Sequence, residues 1–302
     1  MEEYMINVYP LLLLALLVSC STSPTSPTMK KNQLDAAPRI VKVQEAQQVK
    51  IRPGEAQFLK FKVTNSDDLG VLTCKKQTIP LYRHGDARVG YVAETYFSSK
   101  KPFTCTYNNK DLAQRTKVAK FSVIKKKFPF EKLNVAKKRV SLNKKDLARV
   151  RKEQAMLNKI YKKTAGLPWF DSKFQLPIDS FVTSIYGTRR IYNNHKKGQH
   201  LGTDFRAKVG EVILSANKGK VVFSGDLFYT GYTVIIDHGL GIFTNYGHLS
   251  KLLVNLNEII PKGTALGLAG KSGRVTGPHL HWGVKVNSHY IDGRSFAKLK
   301  VP

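Results

Sequence analysis

Between residues 40 and 124 apolar residues come in short runs, often at alternate positions, and turn residues break each run before a helix could form. Leu59, Phe61 and Val63 alternate with Lys60 and Lys62; residues 89–97 are rich in β-branched and aromatic types; Val118, Phe121 and Val123 close the series. Pro53-Gly54 and His84-Gly85-Asp86 punctuate it. Successive side chains of a strand point to opposite faces, so this pattern predicts half-buried strands and excludes amphipathic helices. Several such strands at close spacing predict a small immunoglobulin-like β-sandwich over residues 40–125. It carries no catalytic constellation, and His84 beside a glycine reads as a turn residue.

The chain has 302 residues, a length that suits two domains. Hydrophobic residues make up 42% and charged residues 24%, a folding composition. Charge is the unusual figure: 50 Lys+Arg against 21 Asp+Glu, a formal +29. Such a field suits a polyanionic partner, whether nucleic acid, a membrane surface or an acidic wall polymer.

Residues 11–18 form an unbroken apolar run, too short to span a bilayer and suited to the core of an export signal. The run ends in Leu17-Val18-Ser19-Cys20, which resembles the bacterial lipobox, although Glu2 and Glu3 stand where lysines are usual. That resemblance implies a signal peptide over 1–19, acylation of Cys20, membrane attachment through it, and a lipoprotein facing the periplasm or cell envelope. Ser21 is compatible with the outer membrane if the host is Gram-negative. A plain secretory signal cleaved nearby is the alternative. Residues 20–39 are Ser/Thr/Pro-rich and then polar, the composition of a tether. Export leads to an oxidising compartment, where Cys74 and Cys105 could pair; two buried free thiols would also fit. No C-x-x-C occurs, so cysteine-based metal binding has no support.

Residues 126–170 read as a connector with a helix at about 144–161. Asn143 is placed to cap it, Asp146 suits its first turn, and Leu147, Val150, Leu157, Ile160 and Tyr161 fall on one face. Packing between domains is the plain use of that face, and a membrane-surface helix is the sharper alternative.

The chemistry lies in residues 171–302. Seven of the eight histidines lie at or beyond residue 195. His200-Leu201-Gly202-Thr203-Asp204 offers a nitrogen and an oxygen ligand, both normal for zinc, on a segment whose glycine argues against a helix. His279-Leu280-His281 places two imidazoles on one face of a strand. Tyr246-Gly247-His248 ends another apolar run, with Tyr246 and His248 at the same strand parity. Together these supply a hydrolytic metal site: three protein ligands, a position left for water, and further imidazoles nearby. His238 and His289 read as structural and surface residues, and His195 as part of a loop.

Residues 181–292 resemble the catalytic domain of the lysostaphin/LytM-type zinc metalloendopeptidases, which cut peptide cross-links in peptidoglycan. Ser184-Ile185-Tyr186-Gly187-Thr188-Arg189, His200 to Asp204, Val234-Ile235-Ile236-Asp237-His238-Gly239 and Thr276-Gly277-Pro278-His279-Leu280-His281 carry the resemblance in order and spacing. It implies a mainly β protein whose C-terminal antiparallel domain binds one Zn²⁺ through His200, Asp204 and His281. His248 and His279 would be the two catalytic histidines that do not bind metal, with their division of labour open. The partners implied are peptidoglycan peptide stems, with anionic envelope polymers for the positive field. A catalytically silent relative, which binds wall peptides or activates a partner hydrolase, is the alternative; such relatives usually lack a ligand, and this sequence lacks none. Nucleic acid is not expected, since the export signal opposes it and no nucleic-acid-binding motif appears.

Overall fold

The structure is a computed structural model that describes residues 40–134, 142–194 and 196–301. The apolar N-terminal run, Cys20, the Ser/Thr/Pro-rich stretch and His195 lie outside the described residues. The protein is mainly β. In its first part, Lys42–Val43, Glu55–Thr64, Ala87–Glu94 and Tyr82–His84 form a four-stranded sheet in that spatial order. A five-stranded sheet runs Gln47–Ile51, Thr116–Val123, Phe103–Asn108, Val71–Cys74, Gln77–Ile79. The alternation of residues 59–63 decides how these sheets meet. Leu59, Phe61 and Val63 are buried in one cluster with Leu72, Tyr107 and Phe121, while Lys60 and Lys62 stay exposed. Each such side chain contributes about 1.5–3 kcal/mol on burial. Cys74 faces Cys105 across neighbouring strands, and the two are disulfide-bonded. The bridge therefore lies within one sheet, whereas that of antibody domains joins two.

The helix Lys144–Lys162 begins where Asn143 Oδ1 accepts the backbone N–H of Asp146 at 2.8 Å. Asp146 in its first turn and Lys159 and Lys162 in its last complement the helix dipole. Its C-terminal half is the part that packs: Tyr161 is buried edge-on against Phe243 at 5.2 Å, with Leu157 beside it. Leu147 in the first turn is exposed. Arg149 ties the helix to the sheet below through Asp226 at 2.9 Å. Among the described residues, no helix is long and apolar enough to cross a membrane.

The second part is built on a ten-stranded sheet. Its centre runs Thr203–Arg206, His279–Val286, Ile242–Leu252, Gly231–Gly239, Gly219–Leu227, antiparallel throughout. On His279–Val286 burial alternates over the first four residues, and the rest of the strand is buried on both faces. Leu280, Trp282, Val284 and Val286 are fully buried, which leaves His279, His281, Gly283 and Lys285 to the opposite face. A separate ribbon, Arg189–Tyr192 with Lys196–Gln199, is widened by the connector strand Phe130–Leu133, which pairs with Arg189–Tyr192 in parallel. The sandwich and this domain share packed surface. Tyr91 packs at a tilt against Phe170 and Phe296, with ring centroids 6.3 and 5.7 Å away, and its hydroxyl donates to the Lys300 carbonyl at 3.1 Å. Gly54 accepts from the Asp292 N–H at 2.7 Å, and a Cβ at Gly54 would collide with the Tyr186 ring, so glycine permits this close approach.

Candidate metal centre

Strand pairing assembles the site from segments far apart in sequence. Asp204 is the cross-strand partner of His281, and His281 is also the partner of Gly247. His200 enters from the turn before Thr203–Arg206. One donor atom from each of His200, Asp204 and His281 lies within 4.8 Å of the others. Asp204 Oδ1 is 2.9 Å from His200 Nε2 and 2.8 Å from His281 Nδ1, and the two nitrogens are 3.1 Å apart. The close fit depends on Gly202, where a Cβ would stand 2.4 Å from His281 Cε1.

Hydrogen bonding decides what these atoms can do. His200 Nδ1 sits 3.1 Å from the Ile185 carbonyl, an acceptor only, so Nδ1 carries the proton and Nε2 presents its lone pair to Asp204 and His281. Burial pushes the His200 pKa down, which keeps the ring neutral. Burial alone would raise Asp204, but its close contacts with the His200 and His281 rings outweigh it and hold the carboxyl well below its usual range. A neutral imidazole lone pair, a second ring nitrogen and a carboxylate oxygen crowded together repel one another unless a cation lies between them. The donor set therefore fits a divalent metal of the zinc type.

Asp204 is itself held from behind. Arg190 donates to Asp204 Oδ2 at 2.9 Å and to Ser184 Oγ at 2.8 Å, and its Nε reaches Glu131 at 3.3 Å. The guanidinium thus takes one carboxylate oxygen and leaves Oδ1 for the metal side. The motif that begins at Ser184 ends on Arg189, which is exposed, and its neighbour Arg190 makes this contact. Neither Arg190 nor Glu131 was readable beforehand, because their roles arise from the pairing of the connector strand with the ribbon. Alternation along the ribbon was the one available signal, since it sets Arg190 on the parity of Tyr192.

His248 and His279 complete the cavity, their ring centroids 4.7 Å apart. His248 Nδ1 donates to the Ser272 carbonyl at 2.8 Å and His279 Nδ1 to the Gly277 carbonyl at 2.9 Å. In each ring it is therefore Nε2 that faces the cavity free of this backbone bond. His279 Nε2 is 3.8 Å from Asp204 Oδ1. For His248, burial first and then the neighbouring His281 and His279 push the pKa down to about 3.

Tyr246 and His248 do not share a face, contrary to the parity expectation. The pairing with Gly231–Gly239 shifts register between Tyr232 and Val234, and His248 adopts a left-handed φ of 64°. This bulge turns His248 into the cavity while Tyr246 stays in the core, its hydroxyl accepting the Ala216 N–H at 2.9 Å. His238 is buried between the Lys218 carbonyl (2.7 Å) and Thr244 Oγ1 (2.8 Å), a structural position. His289 is half-buried beside a second cavity, which departs from the surface placement expected for it. Its neighbours Tyr290 and Ile291 carry the pairing with His279–Val286, and that pairing draws the hairpin inward.

Two histidine nitrogens and one aspartate oxygen, with two further imidazoles across a cavity of about 620 Å³, are a set of groups suited to metal-dependent hydrolysis. Residues 198–293, which contain all five residues, match Peptidase family M23. Peptidoglycan DD-endopeptidase ShyA of Vibrio cholerae is 37% identical over 119 residues, 38% of this chain and 28% of the relative. Peptidoglycan DD-endopeptidase ShyB of the same organism is 39% identical over 93 residues, 31% of this chain and 22% of the relative. The chain thus spans under a third of the length of these relatives. A crystal structure from Pseudomonas aeruginosa, assigned to peptidase M23, superposes with a TM-score of 0.64 at 26% identity. It covers 81% of this chain and 94% of its own, so the likeness extends beyond the metal-site domain.

Proposed function

We propose that this protein is a zinc-dependent endopeptidase that hydrolyses peptide cross-links of bacterial peptidoglycan. The observation that carries the reading is the convergence of His200 Nε2, Asp204 Oδ1 and His281 Nδ1 opposite two imidazoles whose Nδ1 atoms are held by backbone carbonyls. The match to Peptidase family M23 and the names of the Vibrio relatives support the substrate class. When bound, zinc lowers the pKa of water towards about 7 and polarises the scissile carbonyl. The chain's own residues do the rest. Arg190 keeps Asp204 aimed. A neutral histidine, His248 or His279, accepts a proton from the attacking water at Nε2, and its imidazolium then gives that proton to the departing amine. The remaining imidazole can steady the tetrahedral oxyanion once protonated. Because Ser272 and Gly277 fix both Nδ1–H groups, each ring has one nitrogen for this work.

The same proposal places the protein in the cell envelope, attached through lipid on Cys20, with its positive field directed at anionic polymers there. The lipobox-like run and the +29 charge support this. The catalytic part is tested by incubating purified protein with cross-linked sacculi. Muropeptide release should stop with a chelator and return with added zinc. Release that persists in chelator refutes the metal mechanism, and a folded, zinc-loaded protein that releases nothing favours a binding role.

A further inference from the structure

The cavity holds charged side chains that the hydrolytic machinery does not use. The acidic residues of its wall, Glu131 and Asp204, are not among them, since both are engaged by Arg190 at the metal centre. Arg206 and Arg274 also line the wall. Arg206 is exposed on its strand, whereas Arg274 is half-buried and held in place. Its guanidinium carbon lies 4.3 Å from the centroid of Tyr229 and 5.0 Å from that of Tyr192. Tyr192 belongs to the ribbon and Tyr229 to the turn before Gly231–Gly239, so Arg274 reaches across from one wall of the cavity to the other.

The backbone that carries Arg274 is fixed as well. Its N–H donates to the Tyr229 carbonyl at 2.8 Å, and the Tyr232 N–H donates to Ser272 Oγ at 3.0 Å. Gly273, at a φ of 75°, passes so close to Gly231 that a Cβ would stand 2.4 Å from the Gly231 nitrogen. This same loop supplies the two carbonyls, of Ser272 and Gly277, that orient His248 and His279. A substrate group bound by Arg274 is thereby registered against both catalytic imidazoles.

Stacking engages the faces of a guanidinium, and carboxylate recognition uses N–H groups in its plane. A stacked arginine has also lost much of its side-chain freedom before a ligand arrives, which lowers the cost of binding. We infer that Arg274 is the residue that selects an acidic stem: it binds a carboxylate of the peptide that flanks the scissile bond. This rests on the peptidase reading, and it adds which chemical class of cross-link the site prefers.

The test uses an uncross-linked stem peptide that cannot be turned over, made with its side-chain carboxylate free and as the carboxamide. Calorimetric titration of the zinc-loaded native protein should show the carboxylate form binding about tenfold more tightly, as expected for one charge-assisted hydrogen-bonded contact. R274Q should bind both forms alike, near the native affinity for the carboxamide, and R274K should recover part of the preference. Equal binding of both forms by the native protein overturns the inference without any variant, and so does a preference retained in R274Q. Cross-linked dimers made with the same two stems separate this inference from the reading beneath it. The native protein should show a lower KM for the acidic dimer with kcat little changed. Preference in binding without cleavage sinks the peptidase reading alone; cleavage without preference sinks this inference alone.

Discussion

Gly202 is the position where a small change most sharply tests how the metal centre is built. Alanine there would set a Cβ 2.4 Å from His281 Cε1, 2.7 Å from His281 Nε2 and 2.8 Å from the Trp282 carbonyl. Ordinary contact begins near 3.4 Å, so the methyl and the ring must part by about 1 Å. The ring cannot retreat freely, because its Nδ1 is the atom that meets Asp204 at 2.8 Å and His200 at 3.1 Å. The backbone cannot yield cheaply either, since Thr203 pairs with Trp282 in the sheet. Gly202 does not occupy the left-handed region, so the cost is steric. Ring displacement should weaken zinc binding by roughly 10–100-fold, about 1.4–2.8 kcal/mol. Overpacking should cost about 1–3 kcal/mol of folding stability. Competition with a chromophoric chelator reads the first and thermal melting of the metal-free protein reads the second. G202A with native zinc affinity and a native melting temperature would refute this account of the site.

Arg190→Gln should lower zinc affinity roughly tenfold or more while the first coordination residues remain, since Asp204 Oδ2 loses its donor; R190K should recover part of it, and unchanged zinc titrations in R190Q would exclude the positioning role. His238, with its pKa pushed down to about 4 by burial, binds a proton more readily in the unfolded chain. Its contribution is therefore intact above about pH 6.5 and is lost as pH falls through 4, by roughly 3 kcal/mol. Urea unfolding at pH 7 and pH 4 should show a smaller acid loss in H238N than in the native protein, and equal losses would contradict this. Palmitate labelling in a bacterial host should mark the native chain and fail with C20S, which measures the lipid attachment directly.

The sequence exposed those parts of the site that are local. His200 and Asp204 sit four residues apart, and His279 and His281 flank one core residue, so a short window and the two-residue period of a strand identify them. The alternation of Leu59, Phe61 and Val63 likewise anticipates which face of the first sheet is buried. Parts that depend on register or on a broken rule were hidden. His248 reaches the cavity because a bulge and a left-handed φ override strand parity. Arg190 meets Asp204 only because the ribbon folds over Thr203–Arg206, and Glu131 joins it because a connector strand pairs in parallel with that ribbon. The orienting partners of His248 and His279 are the backbone carbonyls of Ser272 and Gly277, and a carbonyl leaves no trace in residue identity. Cys74 and Cys105 could be named as a candidate pair; that they lie opposite one another on adjacent strands is a matter of sheet order.

The central claim is that His200, Asp204 and His281 hold a metal that makes the cavity a peptidase for wall cross-links. Mass spectrometry of a defined cross-linked muropeptide dimer, digested by zinc-loaded native protein and by zinc-treated H281A, tests it most directly. The account predicts that the native protein splits the dimer into two stems whose summed mass exceeds the dimer by one water, and that H281A leaves it whole. Equal cleavage by both proteins, or an intact dimer after digestion by the zinc-loaded native protein, would contradict it.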